Sequence, residues 1–170
     1  MHLALEEAFW TGARGEVPIG AVAVHRDGRI LARAGNAPIT RRDPTAHAEI
    51  LALRRAGEVL GNYRLPEVFL VVTLEPCLMC LGAMIHARLA GLVFGAKDPK
   101  TGAITSRLPG PELPFLNHRL PWHEGVLAED CGRLLRGFFR RRRGMARPAS
   151  HSSPAPPTAE FPLAPPAEML

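Results

Sequence analysis

Several features are scarce or missing in this 170-residue chain, and each absence narrows the reading. It has only three cysteines, an odd number, and two of them form a tight pair, Cys77 and Cys80. That usage speaks against a disulfide framework and for metal or redox chemistry. No stretch approaches the run of about 18 apolar residues that a membrane helix needs, so a helical membrane protein is excluded. The opening MHLALEEAFW has two acids and no Lys or Arg ahead of its apolar positions. It does not read as a secretory signal, and a cytoplasmic protein is expected. Internal repeats are absent as well. Acidic residues are missing from one segment in particular: seven arginines (133, 136, 140, 141, 142, 143 and 147) lie between Arg133 and Arg147 with no acid among them.

That segment carries the whole charge excess. The net charge is +5, and setting the seven arginines aside leaves 14 basic against 16 acidic residues. A localised block of this kind suggests an anionic partner, although arginines at a solvated helix end, near the negative pole of its dipole, would look the same. The composition, 46% apolar and 22% charged, is that of one globular domain with a real core.

Periodicity places the elements. Residues 3–13 read as a short amphipathic helix, with Leu3, Leu5, Ala8 and Phe9 opposite Glu6 and Glu7. A β-branched run at 17–24, a turn at His25-Arg26-Asp27-Gly28 and a second strand at 29–32 predict a hairpin. A loop with Asn36, Pro38 and Pro44 leads to a helix capped by Thr45 and ending at Gly57. A buried strand follows at 68–74, then a helix with Pro76 as its first residue, a strand at 92–94, a strand near 122–126, and a last helix from Leu127 into the arginine run. A hairpin and a helix followed by alternating strands and helices predict an α/β sandwich, one sheet with helices on its faces. The Pro/Ala/Ser-rich residues 144–170 read as a disordered tail to a domain spanning 1–143.

Chemistry concentrates at PTAHAEIL (44–51) and LEPCLMC (74–80). His47, Cys77 and Cys80 are good zinc ligands. Pro76 at a helix start places both thiols in a first turn, on one face and at the positive end of the helix dipole, which favours thiolates. In a regular helix residues two apart point about 200° from each other, so His47 and Glu49 share a site only if the histidine belongs to an irregular first turn. Three ligands rather than four indicate a catalytic centre that keeps a position for water. A neighbouring carboxylate that is not a ligand, Glu49, can then carry the proton of that water. Three other readings stay open on the residues alone. Cys131 could close a four-ligand structural site, although it lies on an apolar stripe with Leu127, Leu134, Leu135 and Phe138. The Cys-x-x-Cys could be a redox pair. Glu49 could be a solvated residue of a helix's first turn.

H-A-E with P-C-x-x-C resembles the cytidine/nucleobase deaminase superfamily. VPIGAV, DPTAHAEILALR, NYRL, TLEPCLMCLGAMIHARL, LVFGAKDPKTGA, NHRL and FFRRRR together resemble the bacterial tRNA-specific adenosine deaminases over residues 1–143. The resemblance implies a three-layer α/β/α cytidine-deaminase-like fold around one mixed sheet of about five strands, a homodimer, and one Zn2+ per subunit on His47, Cys77 and Cys80. It implies hydrolytic conversion of adenosine to inosine at the wobble position, 34, of tRNA anticodons, chiefly of an arginine tRNA, with Glu49 shuttling the proton. Asn36 matches a position at the flipped-out base, Ala48 matches a substrate-binding position, and Asp98 and Asn117 match positions near the ribose and neighbouring nucleotides. Phe138, Phe139, Arg140 and Arg142 match the helix that contacts the anticodon stem-loop. An arginine block with aromatic faces suits RNA on physical grounds too. Adjacent helical residues cannot both face inward, so Phe138 or Phe139 is expected to be partly exposed. The rival readings are a small-molecule deaminase of guanine or cytosine, with the same metal site, and a zinc-stabilised RNA-binding module with no activity.

Overall fold

The computed structural model describes residues 1–144, and the expected tail from Met145 onward lies outside the described residues. The chain forms α1 (His2–Ala13), β1 (Gly20–His25), β2 (Ile30–Gly35), α2 (Pro38–Arg41), α3 (Ala48–Leu60), β3 (Val68–Leu74), α4 (Leu78–Ala87), β4 (Gly91–Ala96), β5 (Trp122–Glu124) and α5 (Ala128–Gly144). A single 3-10 turn, Gly110–Glu112, interrupts the long β4–β5 connection. The strands make one mixed sheet in the order β2-β1-β3-β4-β5. β1 runs antiparallel to β2 and β3, while β3, β4 and β5 are mutually parallel. Helices α1 and α5 cover one face and α3 and α4 the other, which is the three-layer arrangement expected. Among the described residues no helix is long and apolar enough to cross a membrane.

Side-chain size explains how the α1 layer seats itself. Gly20 pairs with Gly35 across the hairpin. A Cβ on Gly20 would fall on the Ala4 carbonyl oxygen and within 2.7 Å of the Ala8 nitrogen, and one on Gly35 would overlap the Thr11 hydroxyl. Two facing glycines therefore let α1 lie directly on the sheet, and Ala4 and Ala8 of that helix are fully buried. The core on the other face is built from Leu70, Val72, Leu92 and Phe94 of the central strands with Leu51, Ala52, Leu81 and Met84 of α3 and α4.

Element boundaries differ from expectation where local chemistry intervenes. β1 starts at Gly20, not Val17, because Pro18 has no N–H and the Ile19 N–H turns back to the Val17 carbonyl, 2.8 Å away. β2 continues to Gly35, well beyond residue 32. α3 runs through Gly57 and stops at Gly61, whose φ of 62° lies in the left-handed region that favours glycine. The 36–44 loop contains the one-turn α2. Its start is held by Glu16, whose carboxylate accepts the Ile39 N–H (3.3 Å), the Thr40 N–H (2.7 Å) and the Thr40 hydroxyl (2.8 Å).

Candidate metal centre

The parallel strands β3 and β4 end on one edge of the sheet, and the starts of α3 and α4 converge there. This edge is the usual location of sites in open α/β sheets. Thr45 does not cap α3. The N-cap is His47, with extended backbone (φ −71°, ψ 152°), and the N-cap of α4 is Cys77, also extended (φ −78°, ψ 172°). Pro76 thus precedes the cap and is not the first helical residue. Neither side chain makes a capping hydrogen bond, and the imidazole and the thiol both project into the space between the two helix starts. Cys80 stands three residues into α4, fully buried.

The three donors form a nearly regular triangle. His47 Nδ1 lies 3.7 Å from Cys77 Sγ and 3.6 Å from Cys80 Sγ, and the two sulfurs are 3.7 Å apart. A tetrahedral zinc, with metal–sulfur bonds of about 2.3 Å and metal–nitrogen bonds of about 2.0–2.1 Å, would separate sulfur from sulfur by about 3.8 Å and sulfur from nitrogen by about 3.6 Å. Both the donor set and its dimensions fit that ion. Among the described residues these three make the one group of such side chains that could hold a metal. A third cysteine ligand is ruled out by position. Cys131 sits on α5, where its sulfur fills the space above Gly95 on the opposite face of the sheet.

Electrostatics suit a cation. The hydrogen bond shared with Cys80 pulls the Cys77 thiol down to about 4, against its burial, and His47 lowers it further. The Cys80 thiol is pushed up by the same bond, by burial and by the neighbouring Glu49. The bond to Cys77 raises His47 above its usual range, against burial. Two helix N-termini aimed at the same point add positive potential that favours thiolates.

Glu49 is no solvated residue of a first turn. It is 4% exposed, burial drives its carboxyl above the ordinary range, and the Cys80 sulfur lies against it. Its Oε2 is the one buried side-chain oxygen or nitrogen without a hydrogen-bond partner among the described residues. Such an atom is costly to maintain, and its presence beside three metal donors fits a polar group arriving from outside the chain. Asn36, 5% exposed, accepts the Ala48 N–H at Oδ1 (2.8 Å), which ties the loop before α2 to the first residue of α3 beside His47.

The remaining expected contacts divide. Asp98 is half-buried on the same edge, and its carboxylate is already engaged by the Lys100 N–H (2.9 Å) and the Thr101 hydroxyl (2.6 Å). Asn117 is not brought to the cluster. Arg88 bonds its carbonyl and His118 Nε2 donates to the Leu89 carbonyl (2.8 Å), so both anchors lie at the far end of α4, a helix about 15 Å long. Phe138 is 7% exposed and packs beside Gly12 of α1, so its ring faces are closed to a base, whereas Phe139 is 38% exposed. The two rings meet edge to face at 5.4 Å, and Arg142 lies 6.0 Å above Phe138. Gly12 abuts Pro18 just before β1, and β1 starts at the end where β3 finishes. The basic end of α5 therefore reaches the edge that holds the metal donors, from the other face of the sheet. Arg140 and Arg142 are both exposed there.

Two carboxylates escaped the sequence reading. Glu16 holds α2, as described above. Glu75 directly precedes Pro76 and accepts five hydrogen bonds from residues 98–106. The signal for Glu75 was its place next to a ligand motif, in T-L-E-P-C.

Comparison with known proteins agrees with this geometry. A family model described as MafB19-like deaminase matches residues 1–143. The tRNA-specific adenosine deaminase of Haemophilus influenzae is 50% identical over 143 residues, covering 84% of this chain and 83% of that protein. A structure solved in a study of A-to-I editing by tRNA:A34 deaminases at the wobble position of transfer RNA superposes with a TM-score of 0.77 at 47% identity, over 79% of this chain and 97% of that one. A guanine deaminase from Nitrosomonas europaea superposes with a TM-score of 0.69 at 28% identity, over 81% of each chain. With a match along nearly all of its described length, the chain belongs to the MafB19-like deaminase family, among the tRNA-specific adenosine deaminases.

Proposed function

We propose that this protein hydrolyses adenosine to inosine at the wobble position of tRNA anticodons, chiefly of an arginine tRNA, as a cytoplasmic homodimer with one Zn2+ per subunit on His47, Cys77 and Cys80. The observation that carries the chemistry is the buried, partnerless Oε2 of Glu49 beside the His47–Cys77–Cys80 triangle. When bound, zinc supplies Lewis acidity and lowers the pKa of water to about 7. The chain's own groups do the rest. The Glu49 carboxylate takes a proton from water and delivers it to N1 of the adenine as oxygen adds to C6. The same carboxyl then passes the second proton of that water to the exocyclic nitrogen, which leaves as ammonia while the C6 carbonyl of inosine forms. The amide of Asn36, fixed by the Ala48 N–H, stands beside this point, where it would orient the base. Burial of Glu49 keeps bulk water from competing for its proton.

Recognition of RNA rests on the basic end of α5. Arg140, Arg141, Arg142 and Arg143 are all exposed, and among the described residues the α5 ion pairs are those of Arg133 with Glu129 and Asp130. Phosphates reward such a surface, and the exposed face of Phe139 offers a platform for an unstacked base. The homodimer rests on the family resemblance, and light scattering of the purified protein tests it.

The decisive assay incubates the zinc-loaded protein with an anticodon stem-loop carrying a wobble adenosine, and separately with free nucleosides and with guanine, reading deamination by mass. Inosine at the wobble nucleotide alone is expected. Deamination of guanine or free nucleosides with the stem-loop untouched would replace this reading by that of a small-molecule deaminase, the activity of the Nitrosomonas neighbour. RNA binding without deamination of any substrate would leave only a zinc-stabilised binding module.

A further inference from the structure

The metal donors hang from two helix starts, and the backbone of Cys77 is held from its other side by the segment 98–106. Gly102 pairs with Cys77 in an isolated antiparallel bridge, and the Ala103 N–H donates to the Pro76 carbonyl at 2.8 Å. That same segment is wrapped around one buried anion. Glu75 is 2% exposed. Its Oε1 accepts the N–H groups of Ile104 (3.1 Å), Thr105 (2.8 Å) and Ser106 (2.9 Å). Its Oε2 accepts the Asp98 N–H (3.0 Å) and the Ser106 hydroxyl. Burial works to raise its pKa, but the bonds from Ser106, Thr105 and Asp98 outweigh burial and hold the carboxyl below its ordinary value.

All five partners are neutral. A buried charge satisfied by one loop's N–H and O–H groups is tolerable only while all of them are in place, so carboxylate and loop enforce a single geometry on one another. The fit leaves no slack at Gly102, where a Cβ would overlap the Glu75 carboxylate and approach the Asp98 carbonyl within 2.6 Å. A carboxylate that served the loop alone could come from any neighbouring element. This one is two residues before a metal donor, and the loop it gathers is the one that pairs with that donor's backbone.

We propose that Glu75 is a positioning residue for the metal centre: by gathering residues 98–106 against Pro76 and Cys77, it holds Cys77 Sγ at its vertex of the donor triangle and keeps the Asp98–Thr101 turn beside it. The inference rests on the zinc reading for the metal-holding site, and it is independent of the substrate.

The test is a Co2+ titration of the full-length metal-free protein without RNA, read by thiolate-to-cobalt and d–d absorption and by competition with a chelator. Glu75→Gln keeps the shape but turns an NH2 group toward the Asp98 N–H, and it is expected to weaken Co2+ affinity about 10–100-fold and to shift the absorption bands. Ser106→Ala, which removes one of the two bonds to Oε2, moves affinity less and in the same direction. Glu67→Gln, at an exposed ion pair of the hairpin, leaves affinity unchanged and controls for general loss of stability. A folded Glu75→Gln protein with wild-type affinity and spectrum overturns the proposal. Should Glu75→Gln fail to fold, Ser106→Ala decides: weakened binding supports the assignment and unchanged binding overturns it. Wild-type protein that binds Co2+ tightly yet leaves tRNA adenosine untouched would remove the proposed function and leave the role of Glu75 standing.

Discussion

Replacing Glu49 should separate stability from function. Its Oε2 is buried without a partner, a condition that costs about 1–3 kcal/mol in a folded protein. Glu49→Leu has a similar volume and removes the orphan, so the metal-free variant should be more stable by that amount, a rise in melting temperature of about 3–9 °C for a domain of this size. The same change deletes the proposed proton carrier. General acid–base catalysis contributes typically about 10²–10⁴-fold, so turnover on the stem-loop should fall by at least about that factor, equivalent to about 3–5 kcal/mol in the barrier. Glu49→Gln, which keeps the shape and a polar orphan, should be as inactive while melting close to wild type. Zinc content should persist in both, since the three donors are untouched. Thermal melts of metal-free protein, metal analysis and the mass assay together decide. A Leu variant that melts several degrees lower, or either variant turning over within tenfold of wild type, would show that Glu49 is a structural partner and not a proton carrier.

Other perturbations give equally sharp outcomes. Gly20→Ala should destabilise by about 1–3 kcal/mol or more in denaturant unfolding, because its Cβ meets α1 backbone, whereas Gly82→Ala, with open space around it in α4, should gain about 0.5–1 kcal/mol. Equal effects at the two sites would contradict the packing described. Burial opposes the charge of Glu16, but bonds from Thr40 and Ile39 prevail and lower its pKa. The stability it contributes is therefore present above the ordinary carboxylate value and is lost as pH falls through the lowered one. Glu16→Gln should accordingly be less stable than wild type near neutrality and match it in strong acid, and a gap that persists in acid would refute this. Arg140→Ala with Arg142→Ala should weaken stem-loop binding and flatten its log–log salt dependence by about 0.7 for each phosphate no longer neutralised, and an unchanged slope would exclude both side chains from the interface.

Much of the centre was legible because its information is local. A histidine two residues before an acid, and a proline before Cys-x-x-Cys, each mark a helix start, and a helix start dictates which way its first side chains point. The sheet was legible for a similar reason, since turn residues and β-branched runs announce a hairpin and a buried central strand. What escaped depends on distant partners. The carboxylates of Glu16 and Glu75 are satisfied by backbone N–H groups 23 to 31 residues away, and no pattern around either residue announces that. Cys131 was ambiguous until the α5 layer placed it on the opposite face of the sheet. Adjacent phenylalanines implied one exposed ring, but only the packing of α5 beside Gly12 identified it as Phe139.

The two donor-bearing caps belong to segments thirty positions apart, and this has a consequence for how the ion is acquired. An unfolded chain keeps Cys77 and Cys80 near each other at all times, whereas His47 joins them only once both helices have docked on the same sheet edge. On the proposed zinc reading, tight loading would follow completed tertiary assembly: two sulfurs alone make a weaker grip, and the third donor arrives only when α3 docks. Occupancy of the proposed centre would then report that folding has finished, and chelation would act first on chains whose third helix has come undone.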